Sequence, residues 1–173
     1  EELSQICPVW VTDILTIEDN LQMIHDFGQL FNKRTDAQKW IDKINFAYQD
    51  FQQFIKVKPI KKAAYFIWAK PWMVAGNDTY INEMLQLNKF ENIYEDMSRY
   101  PKVEIDKIRH EGDPDVVILS SEPFPFQQKH IDELQKELPD SKIILVAGEA
   151  FSWYGTHLSR CGDYFKTLRE IIE

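Results

Sequence analysis

The chain has 173 residues, of which 44% are hydrophobic, enough for one domain, or one lobe with an appendage, around a real core. Its net charge is −8, and Lys56, Lys58, Lys61 and Lys62 are too few and too well offset by nearby acids to form the basic patch that nucleic-acid binding requires. No apolar run approaches a membrane span. Aromatics reach 13%, which fits either a bulky core or an aromatic-lined ligand surface. Cys7 and Cys161 are far apart and read as two isolated buried thiols, although their spacing leaves a disulfide open. The opening Glu1-Glu2-Leu3-Ser4-Gln5 resembles the interior of a helix, so the chain is expected to be a piece of a longer protein. The lack of a visible leader therefore carries no information on location.

Residues 8–14 alternate like a short strand. Thr16 then precedes an acidic turn with Asp19 at the capping-box position, and Ile17, Leu21, Ile24, Phe27 and Phe31 keep helical spacing, predicting a helix over 17–32. Thr35-Asp36-Ala37-Gln38 reads as a second capping box. Beyond it, Trp40, Ile41, Ile44, Tyr48, Phe51 and Ile55 run without Gly or Pro until Pro59, predicting a helix of about 20 residues and roughly 30 Å. From there the pattern becomes α/β. Residues 63–68, 115–119 and 142–146 read as strands covered on both faces. Helices are expected after Asp78 or Thr79, over 127–138 and over 157–172. This order predicts a parallel sheet whose ligands gather at the carboxyl ends of the strands.

Three loops occupy those ends: 69–77, 120–126 and 147–155. Each carries aromatics with Gly or Pro, and aromatics in loops form a candidate platform for a large flat ligand. Lys70 is the only basic residue among them. No metalloprotease, P-loop, nucleophile-elbow or dinucleotide motif occurs. His25, His110, His130 and His157 are isolated, so no protein-held metal is expected. His157, beside Trp153 and Tyr154, is the one histidine placed to act as an axial ligand to a haem or corrinoid. Glu122 and Glu149 follow consecutive strands, a pairing open to acid–base chemistry, loop anchoring or ligand contact. Ser120 and Ser121 have no adjacent histidine to activate them.

At these loops the chain resembles the helical-backbone (class III) substrate-binding receptors of ABC importers that take up cobalamin and ferric siderophores. The resemblance is carried by Tyr65-Phe66-Ile67-Trp68-Ala69-Lys70-Pro71-Trp72 through Gly76-Asn77-Asp78-Thr79-Tyr80-Ile81, by Asn92-Ile93-Tyr94, and by Arg99-Tyr100-Pro101-Lys102-Val103. It continues through Asp113-Pro114-Asp115-Val116-Val117-Ile118-Leu119 and Phe151-Ser152-Trp153-Tyr154-Gly155. It covers about residues 60–173. It implies that 1–34 are the end of an N-terminal lobe, 35–57 an inter-lobe backbone helix, and 58–173 a C-terminal α/β lobe of a two-lobed fold. By resemblance Tyr100 matches an aromatic flanking the ligand ring, and Trp72 and Trp153 match loop aromatics of the same cleft. The expected ligand-binding set is Trp72, Tyr100, Glu122, Phe124, Trp153 and Tyr154. Asp106, with Glu104 as a substitute, matches a rim acid that docks on arginines of the permease. Where such receptors often have Gly-Gly this chain has Gly76-Asn77, and Asn77 is expected to take the left-handed turn position.

The implied function is capture of a corrinoid, ferric siderophore or haem and delivery to an ABC permease with its ATPase. No catalysis and no resident cofactor are expected, and the location is periplasmic or lipid-anchored outside the inner membrane. Two rival readings are an α/β hydrolase or lyase using Glu122 and Glu149, and a stand-alone protein-interaction module.

Overall fold

A computed structural model describes residues 2–173. Helix α1 (Ile17–Leu30) begins as its sequence dictates: Thr16 Oγ1 accepts from Asp19 N at 3.0 Å and Asp19 Oδ2 accepts from Thr16 N at 2.9 Å, a reciprocal cap. It ends in a Schellman turn. Asn32 sits at φ 54°, Lys33 N donates to Gly28 O at 2.7 Å, and Asn32 N donates to Gln29 O at 3.2 Å. Helix α2 (Arg34–Ile55) follows at once. The expected cap at Thr35 is absent, because the helix already starts at Arg34 with Lys33 as its uncapped N-terminal neighbour. The tight turn decides this: a Cβ on Gly28 would lie 2.5 Å from that of Ala37, so only glycine lets the two helices meet there.

The sheet is built on β1 (Lys61–Trp68). One edge of β1 pairs in parallel with β4 (Val116–Ser120), which pairs in parallel with β5 (Lys142–Val146). Its other edge takes β3 (Phe90–Asn92) in parallel near its start and β2 (Met73–Val74) antiparallel near its end. The two short strands were not anticipated, since neither carries enough residues to show a period. Between them lies α3 (Tyr80–Leu87), capped by Thr79. Residues 8–14 form no strand. Alternation buries only Ile14, and Trp10 instead packs edge-on against Phe27 at 5.0 Å.

Alternating residues send the sheet into two cores. Ala63, Tyr65, Val116 and Ile118 face α2, α3 and α7 (Leu158–Ile172), meeting Ile44, Phe51, Met84 and Phe165. Ala64, Phe66, Val117 and Leu119 face α4 (Ile108–Glu111) and α5 (Gln128–Glu137), meeting Ile108 and Leu134. The result is the expected three-layer α/β arrangement with a mostly parallel sheet. β4 is buried at every residue, but β5 is an edge strand that leaves Leu145 exposed, because no strand lies beyond it. Cys161 is buried under α2, whereas Cys7 is exposed, so the expectation of two buried thiols holds for one of them only and both are free. Burial pushes the Cys161 thiol up to about 12, which keeps it protonated and inert near neutral pH.

Phe51, on α2, is 1% exposed and packs at a tilt against Phe165 of α7, with ring centroids 5.6 Å apart, while Phe46 on the same helix is 75% exposed. Replacing Phe51 by Ala is expected to cost about 3–5 kcal/mol in denaturant unfolding, and Phe46→Ala about 0.5 kcal/mol or less. Equal losses would contradict the packing of α2 on α7.

Candidate ligand-binding site

The carboxyl ends of β1, β4 and β5 lie side by side, so the loops that follow them share one edge of the sheet. They are fastened to one another. Tyr65 Oη on β1 donates to Ser120 Oγ at 3.2 Å, and Ser121 N donates to Val146 O at 3.0 Å. Ser121 Oγ accepts from Gly148 N at 2.9 Å, at the start of α6 (Gly148–Ser152). A Cβ on Gly148 would fall 2.3 Å from Ser120 Oγ and 2.7 Å from Glu122 Cγ. Glycine there allows the second and third loops to touch.

Glu122 is the centre of that contact. Its Oε1 accepts from Trp153 Nε1 at 2.6 Å and lies 3.2 Å from Ser152 Oγ, whose shorter bond is donated to Gly148 O at 2.9 Å. The short bond from the indole to the carboxyl oxygen holds the ring in place although Trp153 is 52% exposed. Tyr154 is also exposed, and its ring stands edge-on to Tyr80 at 6.0 Å. The third loop then turns at Gly155, φ 77°. Its backbone is gripped by the buried side chain of Asn20 on α1: Asn20 Nδ2 donates to Gly155 O at 3.2 Å, and Asn20 Oδ1 accepts from Gly155 N at 2.5 Å. Helix α1 therefore braces the site rather than merely preceding the lobe.

Tyr100 reaches the same edge by a different route. Segment 97–103 runs alongside the first loop: Gly76 N donates to Arg99 O at 2.8 Å, Val74 N to Pro101 O at 3.1 Å, and Val103 N to Trp72 O at 3.0 Å. Gly76 is needed because a Cβ would lie 2.1 Å from Met97 O. The left-handed residue of this turn is Asp78, φ 53°, and not Asn77 as expected. Asn77 instead uses its side-chain oxygen to accept from Asp78 N at 2.8 Å. Asn92, wholly enclosed, fixes the turn from behind by donating to Ala75 O at 3.0 Å and to Asn82 Oδ1 at 2.9 Å. Tyr100 remains 40% exposed, and partial burial holds its phenol above the ordinary range, so it stays neutral at physiological pH.

The remaining expected residues divide. Trp72 is 9% exposed and packed against Phe66 and Phe126, at 5.5 and 6.1 Å between ring centroids, so it supports the first loop from beneath rather than facing solvent. Trp68, missed in the sequence because 63–68 reads as a fully buried strand, takes the outward position: it is partly exposed and meets half-buried Phe124 edge-on at 5.2 Å. Its signal was its place as the last residue of the strand, where cover from neighbouring layers runs out. His157 is half-buried beside Trp153, with ring centroids 5.8 Å apart. Glu149 is exposed on α6 and shares no hydrogen bond with Glu122 among the described residues, and Glu122 is engaged by Trp153 instead. Asp106 and Glu104 are exposed just before α4. Glu104 pairs with Lys107 at 2.8 Å, and Asp106 has no ion pair among the described residues. No group of metal-ligating side chains occurs among the described residues.

The described edge thus carries exposed aromatic rings and one carboxylate engaged by an indole. The chain belongs to the periplasmic binding protein family, whose model matches residues 1–143. It is thus a non-enzymatic component of transport. No curated protein sequence matches it. Among solved structures it is similar to a possible iron-binding (periplasmic solute-binding) protein from Staphylococcus epidermidis, with TM-score 0.78 and 21% identity over 98% of this chain and 67% of that one. It is similar to the periplasmic vitamin B12 binding protein BtuF of Vibrio cholerae, with TM-score 0.80 and 14% identity over 99% of this chain and 68% of the other. The periplasmic haem binding protein HutB of Vibrio cholerae matches with TM-score 0.73 and 18% identity over 91% and 65% of the two chains. The chain thus spans about two thirds of the length of these proteins. No described helix is long and apolar enough to cross a membrane.

Glu122→Ala is expected to move one of the five tryptophan indole N–H resonances, that of Trp153, toward the position of a solvent-bonded indole while far-UV circular dichroism stays unchanged. An indole spectrum identical to that of the parent protein would show that the bond does not form in solution.

Proposed function

We propose that the chain is the C-terminal lobe, connecting helix and brace of an ABC importer's substrate-binding component, with 1–34 closing off an N-terminal lobe, 35–57 linking the lobes and 58–173 forming the C-terminal lobe. Its substrate is a bulky metal chelate or corrinoid. The observation that carries this reading is the edge to which Trp68, Tyr100, Phe124, Trp153 and Tyr154 contribute exposed or half-buried rings from four segments, one of them, Trp153, bound to the carboxylate of Glu122. Large, nearly rigid ligands suit such a surface, because apolar contact supplies the affinity and few polar groups set orientation. The solved proteins of similar fold whose names mention iron, vitamin B12 or haem support the same ligand class. A corrinoid fits this lobe better than an anionic siderophore: Glu122 repels anions, and Lys70 is the only cation in the three loops.

Asp106 is exposed with no ion pair among the described residues and suits an arginine of a permease, a pairing that guides docking more than it adds affinity. The protein works outside the inner membrane, either free in the periplasm or lipid-anchored.

Titrating the full-length protein with cyanocobalamin, haemin and ferrioxamine B is expected to show binding of at least one below the high-micromolar range. Trp153→Ala and Tyr100→Ala should each weaken it roughly tenfold, the loss of about 1–2 kcal/mol of ring contact. If none of the three binds, the receptor reading fails; capture of a protein partner instead would favour an interaction module. In cells, Asp106→Arg is expected to abolish uptake of the bound ligand while leaving its affinity unchanged. Undiminished uptake would remove Asp106 from the docking surface.

A further inference from the structure

The helix behind the second loop is capped in an unusual way. His130 is the third residue of α5, and its Nδ1 lies 2.9 Å from the backbone nitrogen of Gln127 at the helix N-terminus. An amide N–H only donates, so Nδ1 carries no proton and the neutral ring holds its hydrogen on Nε2. This position of a capping box is ordinarily filled by Glu or Gln, which accept the same bond at any neutral pH. An imidazole accepts it only while neutral, and its ordinary value near 6.5 places the loss of that ability within a biological range.

The ring is also wedged into the loop it caps. His130 is buried, and the rings of Phe124, Phe126 and Trp72 stand around it at 5.2, 5.4 and 6.2 Å. Phe124 in turn meets Trp68, and Glu122 two residues earlier holds Trp153. A shift of the imidazole is therefore transmitted directly to the rings that face the ligand. The charges around it are Lys129 and Glu133 on its own helix and Lys70 from the first loop. Burial, followed by the charge of Lys129, holds the imidazole below its ordinary value, and Glu133 opposes them. The folded protein thus prefers the neutral ring. That preference is fully expressed above about 6.5 and is lost as pH falls through the depressed value.

We infer that His130 is a positioning residue for the ligand site: its neutral imidazole fixes the path of the 121–127 loop through Gln127 and Phe124, and its protonation releases that loop and weakens ligand binding. This rests on reading that loop as part of the ligand surface.

Two measurements test it, and the first needs no ligand. Long-range proton–nitrogen spectra of the ligand-free protein should show His130 at pH 7 as the Nε2–H tautomer, with the Gln127 amide resonance moving in step with the ring as it titrates below about 6.5. A proton on Nδ1 at pH 7, or a Gln127 amide indifferent to the ring, overturns the inference. The second measures affinity for cyanocobalamin, haemin and ferrioxamine B. It is expected to fall as the pH is lowered from 7 through the titration of the ring seen in those spectra, for whichever binds. His130→Gln keeps an acceptor that does not titrate and should flatten this dependence, while His130→Phe keeps the ring but no acceptor and should bind weakly throughout. An unchanged pH dependence in His130→Gln refutes it. Failure of all three probes to bind would sink the receptor reading instead, leaving the ligand-free spectra to decide the role of His130.

Discussion

The carboxylate of Glu122 is the constraint on which the candidate site depends. Three strands deliver three loops to one edge of a sheet, but strand order alone leaves those loops free to splay. Glu122 prevents this by accepting from the indole of Trp153 across the gap between the second and third loops. Gly148 makes this approach possible by omitting a side chain beneath Glu122, as Gly76 does where the first loop meets Met97. An exposed tryptophan would otherwise sample many orientations; a short bond to its nitrogen presents its face at little further entropic cost when a ligand arrives.

The bracing extends well beyond the lobe's own sheet. Asn20, on the first helix, closes two hydrogen bonds on Gly155 across 135 residues of sequence, and the Schellman turn at Asn32 sets how that helix lies on α2. The early helices are therefore part of the mechanism that shapes the third loop. Behind the first loop, Asn92 does comparable work by linking β3, α3 and the Gly76 turn. The exposed rings of this edge thus rest on buried amides, whose bonds are directional enough to hold a backbone where apolar packing would only fill space.

Much of this was legible in the sequence, and the reasons differ by element. The reciprocal cap of α1 needed only Thr16 and Asp19 at their spacing, since all its bonds are local. The same reading failed at Thr35, where a similar pattern ending in Gln38 was overruled by the close contact of Gly28 with Ala37. The strand expected over 8–14 failed because alternation shows which residues can share a face, not whether a partner strand exists. The 69–77, 120–126 and 147–155 loops were placed on one edge correctly, because long Val/Ile/Leu strands alternating with helices admit few topologies.

The sequence by itself therefore determined the α/β class, the major helices and strands, and the aromatic loops at the carboxyl ends, because periodicity, caps and strand order are written in neighbouring residues. Tertiary structure alone decided that Trp72 supports the site from beneath while Trp68 faces outward, that Glu122 binds an indole rather than pairing with Glu149, and that His130 caps a helix within an aromatic cluster. Each of these depends on which distant side chain arrives beside it, and a hydrogen bond between residues 31 apart leaves no local trace in the chain.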